Sequence, residues 1–102
     1  MTMVRRIQTH AISLAEVENR RIQHHLDRLE RRLQRYPEPI ATLVVTAQQS
    51  GRRITADLRV QLGHLGEHLI SHEHSDTADS AVRLATEDIE RQVERLQATH
   101  AG

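Results

Sequence analysis

The sequence predicts an α+β domain of order β-α-β-β-β-α, in which two helices pack on one face of a four-stranded sheet. Two amphipathic stripes and one alternating segment support this prediction. The stripes repeat every three or four residues over 14–36 and 78–96, and the alternation lies at 54–62. Because helices and strands have different side-chain periods, these three segments indicate the fold class.

The first strand and the first helix are predicted from the N-terminal part of the chain. Residues 3–9 should form a short strand. Ser13 is the expected N-cap of the helix, because Glu16 follows three residues later as in a capping box. Pro37 and Pro39 should end the helix, because neither ring offers a backbone donor. The expected buried stripe is Leu14, Val17, Ile22, Leu26, Leu29, Leu33 and Tyr36.

Three strands are predicted after the prolines, at 40–48, 54–62 and 67–74, with turns at 49–51 and 63–66. The first of them is rich in β-branched residues, and the second alternates along its whole length. The residues expected to face the core are Leu43, Val45 and Ala47 in the first, Ala56, Leu58, Val60 and Leu62 in the second, and Leu69 and Ser71 in the third.

The final helix is predicted to start near Ser75 or Asp76, either of which could cap it. A chain of 102 residues is expected to form one domain, here 1–98, followed by a frayed tail at 99–102. The buried stripe of the helix should be Ala78, Ala81, Val82, Ala85, Ile89, Val93 and Leu96.

The composition excludes several classes of protein. Without cysteine there can be no disulfide and no thiolate metal site. The N-terminal residues lack the apolar segment of a signal peptide, and no apolar run is long enough to span a bilayer. We therefore expect a soluble cytoplasmic protein with no membrane partner.

Charge is distributed unevenly, although the formal net charge is zero and all 14 basic residues are arginine. Residues 20–35 contain six arginines and two acidic residues, whereas residues 76–98 contain three arginines and six acidic residues. Such a separation within one small domain indicates a binding face that recognises charge.

The arginines of the first helix are the main candidate site. At about 3.6 residues per turn they form two lines that flank the buried stripe, and we expect both to be accessible to solvent. Such an array of cations suits a row of phosphates. The alternative is a solvated helix face with ordinary ion pairs, such as Asp27 with Arg31. The lines are Arg20, His24, Arg28, Arg31 and Arg35, and Arg21, His25, Arg28 and Arg32.

Histidines form the second candidate site. His68, His72 and His74 should share the exposed face of the last strand with Ile70, and His64 lies in the preceding turn. Imidazoles two residues apart can bind zinc or nickel, and that alternative stays open. No recognised ligand spacing is present, however, and a strand face is open to water. We predict polar residues on a wet sheet face, with no metal and no cofactor.

No catalytic arrangement is evident. The sequence lacks the Gly-x-Ser-x-Gly elbow and any glycine-rich phosphate loop. A small domain with no evident pocket is a poor enzyme candidate, so we predict a non-enzymatic protein without a small-molecule substrate. Base stacking should also be minor, because Tyr36 is the only residue of the Phe, Trp and Tyr class.

Three segments carry a resemblance to a known family. They are Leu26-Asp27-Arg28-Leu29-Glu30, Ala56-Asp57-Leu58-Arg59-Val60, and Ala81-Val82 followed by Ile89-Glu90-Arg91-Gln92-Val93-Glu94-Arg95. By their order and spacing the chain resembles the short form of the ribosome hibernation promoting factor and ribosome-associated inhibitor family. This family is also called sigma-54 modulation or S30EA.

The resemblance implies a fold similar to a double-stranded-RNA-binding domain with an extra first strand. It also implies binding to small-subunit ribosomal RNA in the channel for messenger and transfer RNA, which silences idle ribosomes. It places RNA contacts on Arg28 and its neighbours, and on Arg91 and Arg95 of the last helix. The predicted RNA-binding set is Arg20, Arg21, His24, Arg28, Arg31, Arg32, Arg35, Arg91 and Arg95.

The last helix departs from the pattern of the family. Asp88 and Glu94 stand where Lys or Arg is common, and Asp79 stands where an aromatic residue is typical. These acids leave an alternative, a protein-interaction or homo-oligomeric module, such as a homodimer, that has the same fold but does not bind ribosomes. In it the acidic helix would pair with the basic helix of a neighbour. The dimerisation domain of the long form is not expected here.

Overall fold

The computed structural model describes residues 3–48, 53–63 and 67–101, with side chains as far as residue 98. The predicted α+β class and the order β-α-β-β-β-α are confirmed. The predicted turn at 49–51, and the part of the second turn that contains His64, lie outside the described residues. The elements are β1 (Val4–His10), α1 (Glu16–Arg32), β2 (Ile40–Ala47), β3 (Ile54–Leu62), β4 (Glu67–Ser75) and α2 (Ala78–Ala101).

The strands form one sheet in the order β1-β2-β3-β4. β1 is parallel to β2, and the other neighbouring pairs are antiparallel. α1 connects the parallel pair, because parallel neighbours need a crossover rather than a hairpin. One cross-strand row on the covered face runs through Ile7, Leu43, Leu58 and Ser71.

Both helices pack on the same face of the sheet, which we call the inner face. The strand residues predicted to face the core are buried, except Ala47 near the end of β2, which is half-buried. Each fully buried Leu, Ile or Val contributes about 1.5–3 kcal/mol to folding. The helices contribute Ile22, Leu26, Leu29, Ala78, Ala81, Val82, Ala85, Ile89 and Val93, with Leu33 from the turn after α1.

The start of α1 differs from the prediction. Ala15, not Ser13, is the N-cap, and its N–H donates to Glu18 Oε1 over 3.4 Å. Leu14 therefore packs against the core from outside the helix. Val17 is 54% exposed rather than buried. The helical period explains this, because Val17 lies about 140° around α1 from Ile22, which faces the sheet.

The start of α2 also differs. Thr77 Oγ1 accepts a hydrogen bond from the Ser80 N–H at 3.1 Å, so Thr77 caps the helix rather than Ser75 or Asp76. Ser75 is the last residue of β4, and its hydroxyl donates to Ser80 Oγ. The helical backbone continues to Ala101, so the frayed tail at 99–102 stays a prediction.

Candidate nucleic-acid interface

The first line of cations points away from the sheet. Arg20, His24 and Arg31 on α1, with Arg35 in the turn that follows, are all exposed. We call these four residues the solvent row. Around the helix, His24 lies about 160° from the buried Leu26, so the row is opposite the core rather than beside it. A polyanion could approach this surface without displacing α2.

The second line faces α2. Arg21 and Arg32 are exposed, as expected, but the cations of this line are also paired with acidic residues of α2. α1 and α2 pack side by side, and the acids of α2 that face α1 receive the cations. Arg28 belongs with this line. The contacts are Arg21 Nη1 with Asp79 Oδ2 at 3.8 Å, His25 Nε2 with Asp79 Oδ1 at 2.6 Å, Arg28 Nε with Glu90 Oε1 at 3.0 Å, and Arg32 Nη1 with Glu94 Oε1 at 3.5 Å.

Glu90 is the centre of this interhelical network. Its second oxygen, Oε2, lies 3.5 Å from Arg32 Nε, so one carboxylate contacts two guanidinium groups. The Glu90 side chain is only 12% exposed. Arg28 Nη2 is buried and has no hydrogen-bond partner within the described part of the chain. These charged groups stabilise the contact between the two helices, and they are therefore less available to an external partner.

Asp27 and Glu30, two acidic residues near the solvent row, are turned toward the sheet edge. Arg5 on β1 contacts Asp27 Oδ1 at 2.6 Å and Glu30 Oε1 at 3.1 Å. Asp27 therefore pairs with Arg5, not with Arg31. Neither Arg31 nor Arg35 forms a salt bridge with another described residue. Arg20 pairs with Glu16 at 3.3 Å on the exposed helix surface, where such pairs are weak.

The two predicted arginines of α2 are both exposed. Arg91 Nη2 contacts Asp88 Oδ1 at 3.6 Å, within α2 itself. Arg95 is exposed and makes an interaction of its own. The ion pair of Arg91 therefore lies within α2 and does not involve the solvent row.

The histidines of β4 lie where the sequence predicted them. His68, His72 and His74 are exposed on the face of the sheet away from the helices, together with Ile70. The His72 Nδ1–H donates to Asp57 on β3, a partner that only the cross-strand register could identify. No group of three or more His, Asp or Glu residues among those described could hold a metal ion.

Sequence reasoning did not single out Arg6, Arg59 and His10, which share the face of these histidines. The alternation of β3 does turn Arg59 away from the core, so part of the signal was present. The register was needed to show that Thr42 pairs with both Arg6 and Arg59, which places the two arginines in one cross-strand row.

Comparison with known proteins assigns the chain to a family. The model described as "Sigma 54 modulation protein / S30EA ribosomal protein" matches residues 6–100. No curated protein sequence matches the chain. In the described residues, neither helix has an apolar stretch of the length that a membrane crossing needs.

Two solved structures share the fold. One is the protein Y N-terminal domain of Thermus thermophilus, with a TM-score of 0.72 and 20% identity over 94% of this chain and 99% of that one. The other is a ribosomal subunit interface protein of Coxiella burnetii, with a TM-score of 0.70 and 15% identity over the same shares. The family match, the shared fold and the sequence segments agree, and the chain belongs to the sigma 54 modulation protein / S30EA ribosomal protein family.

Proposed function

We propose that the chain is a ribosome-associated factor that binds RNA of the small subunit through the solvent row. It inhibits translation by occupying the channel for messenger and transfer RNA. Family membership supports the association with ribosomes. The solvent row is proposed as the RNA-binding surface because Arg31 and Arg35 are exposed, while Arg5 binds the neighbouring acidic residues.

The solvent row has the dimensions and chemistry that a phosphate backbone requires. It extends for about 20 Å along α1, and guanidinium groups can form two parallel hydrogen bonds to one phosphate. Each phosphate that is neutralised releases counterions, so the contributions of several arginines accumulate. Contacts of this kind read shape and charge rather than base sequence.

The proposed mechanism is steric and needs no covalent chemistry. The domain fills a space that RNA ligands would otherwise use, in the cytoplasm where ribosomes work. Neither a cofactor nor a small-molecule substrate takes part. Inhibition should therefore depend on occupancy, which depends on the charge of the solvent row.

The homodimer is less favoured by the arrangement of charge. In that alternative the acids of α2 would pair with the basic helix of a second copy. Asp79, Glu90 and Glu94 already contact arginines of their own chain. Sedimentation equilibrium of the isolated protein separates the two cases, because the proposed function expects a monomer.

The test of the proposed function is co-sedimentation with small subunits. Arg31→Glu combined with Arg35→Glu should abolish it, because two cations become anions without loss of an internal contact. The matched control is Arg53→Glu with Arg83→Glu, two exposed arginines outside the row. Equal co-sedimentation of both double variants would refute the site. Arg28 and Arg32 serve this test less well, because changing them also breaks the pairs with Glu90.

A further inference from the structure

The outer face of the sheet, on the side away from the helices, carries a second cationic surface. Among the described residues of this face, Asp57 is the only carboxylate, and it is occupied by His72. Neither Arg6 nor Arg59 is in a salt bridge within the described chain. The exposed cations and imidazoles of the outer face are Arg6, His10, Arg59, His68, His72 and His74.

The register sets the spacing of these groups. Arg6 and Arg59 lie on either side of Thr42, about 10 Å apart at the separation of neighbouring strands. His72 and His74 are about 7 Å apart along β4. Ile70, which is 57% exposed, pairs with Arg59 and lies between His68 and His72 along β4. A shallow depression at the centre is lined by Thr42, Val44, Asp57, Leu58, Arg59 and Ile70.

This combination is suited to single-stranded RNA. Unpaired bases stack on flat side chains, among them histidine, while arginines contact the backbone phosphates. The contact with Asp57 orients the His72 ring, and Ile70 offers an apolar surface beside it. An open sheet face presents rings to splayed bases, whereas duplex RNA is contacted mostly along its sugars and phosphates.

We infer that the outer face binds a single-stranded RNA segment, with bases on the imidazoles of β4 and phosphates on Arg6 and Arg59. This inference rests on the proposed function, because RNA is the partner in both. The protein would then contact RNA on two opposite sides, through the solvent row and through the outer face.

The stacking groups are tested with the full chain and fluorescein-labelled ten-nucleotide oligo(U) and oligo(A), measured by fluorescence anisotropy. His68→Ala with His74→Ala should weaken binding by about five-fold or more for each stacked base. The control is Arg83→Ala, which removes an exposed side chain of α2 outside both proposed surfaces. His74→Phe should bind like the wild type, because it keeps a flat ring. If His74→Phe loses as much affinity as His74→Ala, stacking is contradicted.

The phosphate contacts are tested through the salt dependence of the same binding. Arg6→Ala with Arg59→Ala should weaken binding and lower the slope of log K against log salt by about 1.4, which corresponds to two phosphates of a single strand. Arg53→Ala with Arg83→Ala should leave the slope unchanged. Circular dichroism melting should show all these variants folded, because each changes exposed residues only.

The outcomes separate this inference from the proposed function. Co-sedimentation of the wild type with small subunits, together with equal oligonucleotide affinity of the wild type and the outer-face variants, overturns the inference alone. Oligonucleotide binding that needs the outer face, without co-sedimentation, overturns the proposed function alone. A sixteen-base-pair RNA duplex that competes better than the single strand also overturns the inference.

Discussion

Arg5 Nη2 on β1 lies 2.6 Å from Asp27 Oδ1 on α1. This contact affects the charge of the solvent row, although neither residue belongs to that row. Asp27 stands four residues before Arg31, where the two could pair along the helix. Because Arg5 holds Asp27 at the sheet edge, Arg31 keeps its charge available to a partner. The proposed RNA contact thus depends on an arginine of the inner face.

Arg5→Ala should therefore affect both stability and binding. We expect the free energy of unfolding to fall by about 1–3 kcal/mol, since hydrogen bonds to two carboxylates and to Gln23 are lost at a half-buried site. Co-sedimentation should weaken because Asp27 is released. Arg6→Ala is the control in urea denaturation and should change stability by no more than about 0.5 kcal/mol. Equal losses for the two variants would contradict this account.

Glu90→Gln should destabilise the contact between the helices while making the surface more basic. Arg28 and Arg32 would lose a charged acceptor, so we expect a loss of about 1–3 kcal/mol in urea denaturation. Glu94→Gln is the matched control, because Glu94 is 59% exposed and its pair should contribute no more than about 1 kcal/mol. A larger loss for Glu94→Gln would show that the centre of the network is misassigned.

Leu29→Ala should remove part of the core beneath α1. Leu29 is fully buried, and truncation of such a side chain costs about 2–5 kcal/mol. Val17→Ala, on the exposed side of the same helix, should cost no more than about 0.5 kcal/mol. Thermal and urea unfolding measure both. Comparable losses would mean that Val17 packs against the core after all.

Thr77→Ala should destabilise the start of α2 by about 0.5–2 kcal/mol, because the Ser80 N–H loses its acceptor. Ser13→Ala should cost no more than about 0.5 kcal/mol, since Ser13 lies outside α1 and does not cap it. Chemical denaturation followed by far-ultraviolet circular dichroism distinguishes the two. A larger loss of stability for Ser13→Ala would show that Ser13 caps α1 after all.

The periodic signals were strong enough to predict the order of the elements. Ile22, Leu26 and Leu29 repeat at the helical spacing, and the alternation from Ala56 to Leu62 is typical of a strand with one buried face. The family resemblance was equally accessible from the sequence. The starts of the helices were harder to predict, because several residues near each boundary could cap the helix and only the backbone geometry chooses among them.

The sequence by itself determined most of the residues that are buried on the helices and strands, because side-chain periodicity encodes the direction of the core; Val17 and Ala47 are the exceptions. It could not show which side of α1 would meet acidic residues, since both sides carry arginines. The packing of α2 against α1 decided which side is ion-paired, because it places Glu90 against Arg28 and Arg32. In the same way, cross-strand register brought Asp57 to His72. Pairings between distant segments follow from packing, and local periodicity contains no information about them.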